Sequence, residues 1–361
     1  PIPSITRETP RALGRSEIKE IVAAYGDATR RCRKAGLDAV EVQTATSYLL
    51  GSFLSPAMNH RTDEYGGTFE NRTRIVREIL EVVREAAGPD MAVGVRTSTS
   101  HHIPHAPVDY TLEESVASMR LLSDAGLVDW VSILSGSRWA GHETIPPMNT
   151  PRNQLAAEGK RFREEISVPV IVAGRIRSPG DAEALIAEGC ADIVAMARTW
   201  IAEPEWMKKI EAGREDSIRP CMSCNQACAG FVFKGKPGSC ILNPAAGREG
   251  ELAPPAQTSN PKRIAVIGGG PAGMEAARVA AIRGHRVTLY EAQKILGGQM
   301  RLAAEAPHRE EMLAPLFWWE NELRRSQVEV RLGIEIKSPA DVEADEIIWA
   351  VGAEAAQTAV W

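Results

Sequence analysis

The chain has 361 residues, 44% of them hydrophobic and 25% charged, and a formal net charge of −5. This composition belongs to a globular protein of two or more domains and excludes a disordered or low-complexity chain; the mild negative charge, with no Lys/Arg block, leaves no footprint for nucleic acid. No apolar run approaches the roughly 18–20 residues that span a bilayer and no signal peptide opens the sequence, so we expect a cytoplasmic protein without a membrane partner.

From about residue 15 to 212, helix and strand patterns alternate. Residues 16–35 read as a helix through Ile18, Ile21, Val22 and Tyr25, stopped by Gly36, and Ala39–Gln43 as a short buried strand. A helix near Asn71–Ala87 precedes the strand Ala92–Arg96, and a helix near Leu112–Ala125 precedes the strand Trp130–Leu134. After a longer loop come the strand Val168–Ala173, the helix Asp181–Glu188, the strand Ile193–Met196 and a helix around Glu205–Ala212. Strands alternating with helices imply a parallel sheet. Such a sheet could be open and doubly wound, or it could be the last part of a (β/α)8 barrel. The repeats A-G-L-D-A-V, A-G-L-V-D-W-V and E-G-C-A-D-I-V at the helix-to-strand junctions favour equivalent barrel units. In each, Gly ends the helix, where it takes positive φ without steric cost. A barrel must close, so strands 4–8 here require the earlier strands upstream; a chain beginning with Pro1 rather than Met agrees with that expectation.

The expected organisation is a barrel over 1–212, a cysteine-rich segment over 213–248, a Pro-rich linker over 249–261, and a nucleotide-binding domain over 262–361. The last opens with the strand Arg263–Ile267, a glycine turn, the helix Met274–Arg283 and the strand Val287–Tyr290. It ends soon after the strand and glycine turn Ile347–Gly352, and we expect this domain to be cut short.

Cys221, Cys224, Cys228 and Cys240 form C-x2-C-x3-C-x11-C. Clustered cysteines in a long chain without an export signal read as metal ligands. Structural zinc usually takes two C-x2-C knuckles, whereas three close cysteines and a distant fourth suit a cubane with one thiolate per iron; zinc and free thiols are the alternatives. Cys32 and Cys190 read as packing residues.

Gly268-Gly269-Gly270-Pro271-Ala272-Gly273 is a G-x-G-x-x-G turn between a strand and a helix. Gly268 makes the tight turn, Gly270 admits a pyrophosphate, Gly273 packs the helix on the strand, and the helix N-terminus faces the phosphates. Glu291, ending the second strand, would bond the ribose of an adenine dinucleotide. Gly297-Gly298-Gln299 looks like a second approach to the same ligand.

Ligands of a parallel barrel sit at the C-terminal ends of its strands. There the sequence puts Gln43–Tyr48, Arg96, and two small-residue-plus-Arg pairs, Gly174-Arg175 and Ala197-Arg198, after the last two strands. Arg offers a fork of donors to a phosphate and a small residue bares its backbone N–H. His101, His102 and His105 read as a solvated loop.

The run Val40-Glu41-Val42, Tyr48-Leu49-Leu50, Phe53-Leu54-Ser55-Pro56, Asn59, Arg61-Thr62-Asp63-Glu64-Tyr65-Gly66-Gly67 and Glu70-Asn71-Arg72 resembles the Old Yellow Enzyme superfamily. The added cysteines and dinucleotide turn resemble its long branch, which holds 2,4-dienoyl-CoA reductase, trimethylamine dehydrogenase and related N-demethylating enzymes. The resemblance implies FMN in the barrel, a [4Fe–4S] cluster, and FAD or ADP in the second domain. It places Arg96 by the flavin ring and Gly174, Arg175, Ala197 and Arg198 on the FMN phosphate, and it matches Tyr48 and His142 to proton donors. The implied partners are a small-molecule substrate and NAD(P)H or an electron-transfer protein, with a homo-oligomer left open. One departure concerns substrate: where many members carry His-x-x-His, this chain has Gln43-Thr44-Ala45-Thr46. Gln and Thr cannot become cationic, which tilts the expectation from an activated C=C bond toward a methylated amine. Trp130 and Trp139, expected at the same mouth, would suit such a cation through their ring faces. A non-catalytic electron-transfer or nucleotide-binding remnant is the reading from a different class.

Overall fold

The computed structural model describes residues 10–252 and 255–353. The chain forms two compact units, Pro1–Met196 and Ala197–Trp361. Among the described residues no helix is long and apolar enough to cross a membrane.

The first unit runs α1 Arg15–Lys34, β1 Ala39–Gln43, α2 Leu49–Leu54, α3 Phe69–Ala87, β2 Ala92–Ser98, α4 Leu112–Asp124, β3 Trp130–Leu134, α5 Gly141–Thr144, α6 Ala156–Glu165, β4 Val170–Ala173, α7 Pro179–Ala187 and β5 Ile193–Ala195. Its strands form one parallel sheet in the order β1-β2-β3-β4-β5. A doubly wound sheet reverses strand order at a switch point; these strands advance in one direction throughout, as in the wall of a (β/α)8 barrel.

Alternation along the strands sorts the two faces. Val42, Val93, Val95, Val131, Ile133, Val170 and Val172 are buried in one core with Ile75, Ile79, Leu80 and Val83 of α3. The opposite face carries Glu41, Gln43, Gly94, Arg96, Trp130 and Ser132, in register across β1, β2 and β3. Three of the helix starts are side-chain capped: Thr68 accepts from Asn71 N, Thr111 from Glu114 N, and Ser178 forms a capping box with Asp181.

The repeated junctions prove to hold strand starts. Gly36, Gly126 and Gly189 all have positive φ (78°, 67° and 70°). The acid that follows then clips a neighbouring strand: Asp129 Oδ2 accepts from Val93 N at 2.7 Å, and Asp192 Oδ2 from Val170 N at 2.9 Å. Arg84 pairs with Asp129 and Arg163 with Asp192.

The second unit holds α8 Arg198–Ala202, α9 Trp206–Glu211, α10 Ala229–Val232, α11 Glu249–Leu252, β6 Arg263–Ile267, α12 Pro271–Ile282, β7 Arg286–Glu291, α13 Gln299–Ala304, α14 Leu313–Arg325, β8 Glu329–Leu332 and β9 Glu346–Trp349. Its parallel sheet has the order β8-β7-β6-β9. That is the dinucleotide-binding arrangement, with its switch point between the first strand, β6, and the fourth, β9. The same acid clip recurs, Asp345 Oδ2 accepting from Arg263 N at 2.8 Å. Met222 and Leu242 of the cysteine segment are buried in one core with Val266, Leu289, Leu316 and Trp318. Asn243 Nδ2 donates to Ile201 O and Arg198 Nη1 to Asn225 Oδ1, which ties α8 to the cysteine segment.

Replacing Asp192 by Ala leaves the Val170 N–H without its acceptor, and we expect a loss of about 1–3 kcal/mol in denaturant unfolding at neutral pH. Burial raises the Asp192 carboxyl, but Arg163 and the Val170 N–H outweigh it and hold it below its ordinary value. The wild-type advantage is therefore complete above the free carboxyl value of about 3.9 and fades as acid carries the pH down through the lowered native value. A difference between wild type and Asp192→Ala that stays constant through that range would show that the carboxylate is not its source.

Candidate functional site

Parallel register in the first unit aligns Gln43 with Arg96 and Arg96 with Ser132 near the strand ends. Arg96 Nη1 stands 3.8 Å from Glu41 Oε1, and its Nε is buried without a hydrogen-bond partner. A buried guanidinium nitrogen without a partner is costly, so this strand end is built to receive an acceptor. Trp130 Nε1 donates to Glu41 Oε2 at 3.1 Å. Its ring lies over Gly94, where a Cβ would stand 2.0 Å from Trp130 Cε2. Trp130 thus occupies the layer below Gln43 and Arg96, not the mouth, because it begins its strand and side-chain direction repeats every two residues. Trp139 follows the end of β3, in the loop where its N–H donates to Ser137 Oγ.

Gln43 is exposed and its Oε1 accepts from Ala45 N at 3.2 Å. Thr46, with φ 57°, is buried; its N–H donates to Ser98 Oγ and its hydroxyl to Ala45 O. The Thr46 hydroxyl is therefore occupied by the chain itself. Tyr48 caps α2 and is 54% exposed, with the Arg138 guanidinium 5.8 Å from its ring centre. His142 lies on the four-residue α5 with its side chain 70% exposed and Nε2 3.6 Å from Glu143 Oε1. Gly174 has φ 141° and Arg175 φ 51°, and Arg175 is buried with Nη1 donating to Pro147 O at 2.8 Å. Left-handed backbone at a non-glycine residue costs energy and clusters at functional sites.

His101 departs from the expected solvated loop. It is fully buried, neither ring nitrogen has a hydrogen-bond partner, and its ring centre lies 5.0 Å from that of Tyr110. Burial, helped by the His102 charge, pushes it down to about 4, so it is a neutral packing residue at ordinary pH. His102 and His105 are exposed, as expected.

In the second unit, Ala197 precedes α8 and Arg198 begins it. Arg198 Nη1 is 2.7 Å from Asn225 Oδ1, a partner that no sequence motif announced. The glycine turn sits at the switch point. A Cβ on Gly268 (φ 106°) would come within 2.3 Å of Ala350 O, and one on Gly273 within 1.8 Å of Gly268 O, whereas Gly270 has nothing within 4 Å of such a Cβ. The first and third glycines are thus packed and the middle one is open, as a pyrophosphate requires. Ala272 is exposed in the first turn of α12. Glu291 accepts from Gly269 N at 2.6 Å and Gln293 N at 2.7 Å, so it props the turn and retains lone pairs for a ribose. Gly298 packs against Gly270, a Cβ there lying 3.2 Å from Gly270 Cα, and Gln299 Nε2 donates to Ala353 O.

Cys221, Cys224, Cys228 and Cys240 are all partly buried, and none is in a disulfide among the described residues. Ser223 and Asn225, at φ 52° and 57°, fold the chain tightly between them. Ser223 N donates to Cys221 Sγ and Leu242 N to Cys240 Sγ, each at 3.4 Å. Burial first, then neighbouring thiols including Cys221 and Cys228, push the Cys224 and Cys240 thiols up; the four sulfurs lie near enough to feel one another. Among the described residues no group of three or more His, Cys, Asp or Glu converges as a single metal ion needs. A cubane takes one thiolate on each iron, a wider set than one ion gathers, and backbone N–H groups aimed at sulfur suit it.

Residues 3–217 match the NADH:flavin oxidoreductase / NADH oxidase family, and residues 253–360 match the pyridine nucleotide-disulphide oxidoreductase family. The chain is 41% identical to an NADH oxidase of Thermoanaerobacter brockii over 98% of its own length and 54% of that protein's. It is 36% identical to an N,N-dimethylglycine/sarcosine dehydrogenase of Chromohalobacter salexigens, over 97% of this chain and 51% of that one. The fold superimposes on a 2-naphthoyl-CoA reductase with a TM-score of 0.91 at 30% identity, covering 99% of this chain and 54% of that structure. The chain spans about half the length of the curated relatives it matches. It belongs to the NADH:flavin oxidoreductase / NADH oxidase family, in the long branch that joins a flavin barrel to a dinucleotide-binding domain.

Proposed function

We propose that this chain forms the FMN side, the [4Fe–4S] segment and the FAD- or ADP-binding part of a cytoplasmic oxidoreductase that uses NAD(P)H or an electron-transfer protein as its partner. The observation that carries this reading is the polar strand-end face around the buried, partnerless Arg96 Nε. Bound at such a face, FMN would supply both hydride and single-electron chemistry. Arg96 would donate to the flavin ring, and the backbone and guanidinium groups of Gly174, Arg175, Ala197 and Arg198 would hold its phosphate. Gly268, Gly270, Ala272, Gly273, Glu291 and Gln299 would hold the adenine dinucleotide, and Cys221, Cys224, Cys228 and Cys240 the cluster. Clustered cysteines outside disulfides fit a reducing compartment.

The substrate is an activated C=C bond or a methylated amine. Tyr48 and His142, both exposed, can give a proton to a carbon or take one from an amine. One observation favours the amine: Gln43 offers only an amide and the Thr46 hydroxyl is spent on Ala45 O. No cationic donor stands at these two positions to polarise a carbonyl. Of the relatives reported above, one is named as an N,N-dimethylglycine/sarcosine dehydrogenase and one as a 2-naphthoyl-CoA reductase.

Stopped-flow mixing of the anaerobic holoprotein separates these readings. Flavin absorbance that bleaches with N-methylated amines while NAD(P)H is inert supports amine oxidation. Bleaching by NAD(P)H makes it a reductase and overturns the amine reading, and no bleaching by either leaves an electron-transfer remnant. In whichever reaction proceeds, Tyr48→Phe should slow substrate turnover by roughly 10²-fold or more, while flavin content is unchanged.

Cys228→Ser should lose bound iron and acid-labile sulfide while retaining the flavin spectrum. Retention of full iron and sulfide would remove Cys228 from the ligand set.

A further inference from the structure

Arg219 lies two residues before Cys221 and is 91% buried, at 9% exposure. Its guanidinium sits 4.6 Å from the centre of the Trp318 ring, with the Arg278 guanidinium 5.5 Å from that same centre. Trp318 is fixed in turn by its Nε1–H donating to Ser217 O at 2.9 Å. This tryptophan packs in the core cluster against which Cys224 and Cys240 lie.

The acids near this cation are shared with other bases. Glu275 accepts from Arg278 Nε at 2.8 Å and Nη2 at 2.7 Å, and from Trp319 Nε1 at 2.8 Å. Arg219 Nη2 approaches it only to 3.8 Å. Glu203 is paired with Lys209 and takes only the backbone N–H of Arg219. Across Arg219, Arg278, Lys209, Glu275 and Glu203 the formal charges sum to one positive. Its Nε is buried without a hydrogen-bond partner, and the charge of Cys240 is felt at the guanidinium. Burying an arginine is costly without compensation, and here the acid within ion-pair reach, Glu275 at 3.8 Å, is shared with Arg278.

We propose that Arg219 is a potential-setting residue: its buried, only partly compensated charge stabilises the electron that the four-cysteine site accepts. Adding one electron to a cluster held by four thiolates adds one negative charge, and charge, hydrogen bonding and burial around the sulfurs set the reduction potential of such clusters. A cation at the cysteine segment, screened little because it is buried, favours the reduced form and raises the potential. Trp318, whose ring centre lies 4.6 Å from the Arg219 guanidinium, holds Arg219 in that place. This inference rests on the proposal that the four cysteines hold a [4Fe–4S] cluster.

The test is a dithionite titration of the holoprotein, followed by the electron paramagnetic resonance signal of the reduced cluster, with iron and sulfide counted in each variant. Arg219→Gln should lower the ratio of reduced to oxidised cluster about tenfold at a fixed ambient potential, a shift of about 59 mV to more negative values for one electron. Arg219→Lys, which keeps the charge, should restore most of it. Glu275→Gln, which removes the nearest acid without touching Arg219, should move the potential the opposite way and tests the idea even where Arg219→Gln fails to fold. An unchanged potential in cluster-loaded Arg219→Gln, or Glu275→Gln with no positive shift, overturns the role of Arg219 while leaving the cluster in place. Wild-type protein without iron or sulfide overturns both.

Discussion

A parallel strand can be used for chemistry only if its end stays where its neighbours put it, and in this protein the strands are fixed from their starts. Three carboxylates, Asp129, Asp192 and Asp345, reach across to an N–H in the first two residues of an adjacent strand. Two of them serve the barrel wall and one the dinucleotide-binding sheet, so the device is independent of fold. It acts at the edge opposite the strand ends that carry Gln43 and Arg96. Each clip sets register, and register decides which side chains share a face: a slip of one residue in β2 would replace Arg96 by Val95 or Thr97 beside Gln43. The stability of one edge and the chemistry of the other are thus two consequences of the same constraint.

The glycine turn shows the converse relation, in which space rather than a bond is positioned. Gly268 and Gly273 are needed because backbone fills the volume a side chain would take, and Gly270 because nothing does. Glu291 completes the turn by accepting from Gly269 N. A residue assigned to a ribose therefore has a scaffold role first, and its ligand role depends on the lone pairs that remain. The same holds at Thr46, whose hydroxyl is consumed locally, and at Arg198, which already has Asn225 as a partner.

How much of this was legible in the sequence depended on how local the signal was. The strands Ala39–Gln43, Trp130–Leu134 and Arg263–Ile267 were read to the residue, because apolar runs bounded by Gly and acid leave little freedom. The glycine turn and the cysteine spacing carry their chemistry in a few adjacent residues and were equally plain. The short α2, the helix α6 and the elements α13, α14 and β8 were not assigned. Leu49–Leu54 is apolar on every side, Leu313–Arg325 has a proline in its first turn, and Glu329–Leu332 is a charged edge strand. Side-chain placement was legible only where strand alternation fixed it. Trp130 fell a layer too low for the mouth because its strand begins at that residue. His101 was read by the polarity of its loop, whereas its burial is set by Tyr110 and by strand β2, which no local pattern reveals.

Long-range electrostatics lies furthest from the sequence. Arg219 looks like any arginine beside a cysteine motif; its character comes from Glu275 being occupied by Arg278, and Glu203 by Lys209. Those partners are contributed by helices on either side of the cysteine segment, and only the fold decides which acid meets which base. The two pairings draw the nearest anions partly away from Arg219, and the indole of Trp318 adds a neutral face beside it. An aromatic ring can hold a guanidinium in place without cancelling its charge. A carboxylate would have held it more strongly and left nothing for the sulfurs to feel. The choice of tryptophan over acid at that contact is therefore what allows a positioning interaction and an electrostatic one to share a single side chain.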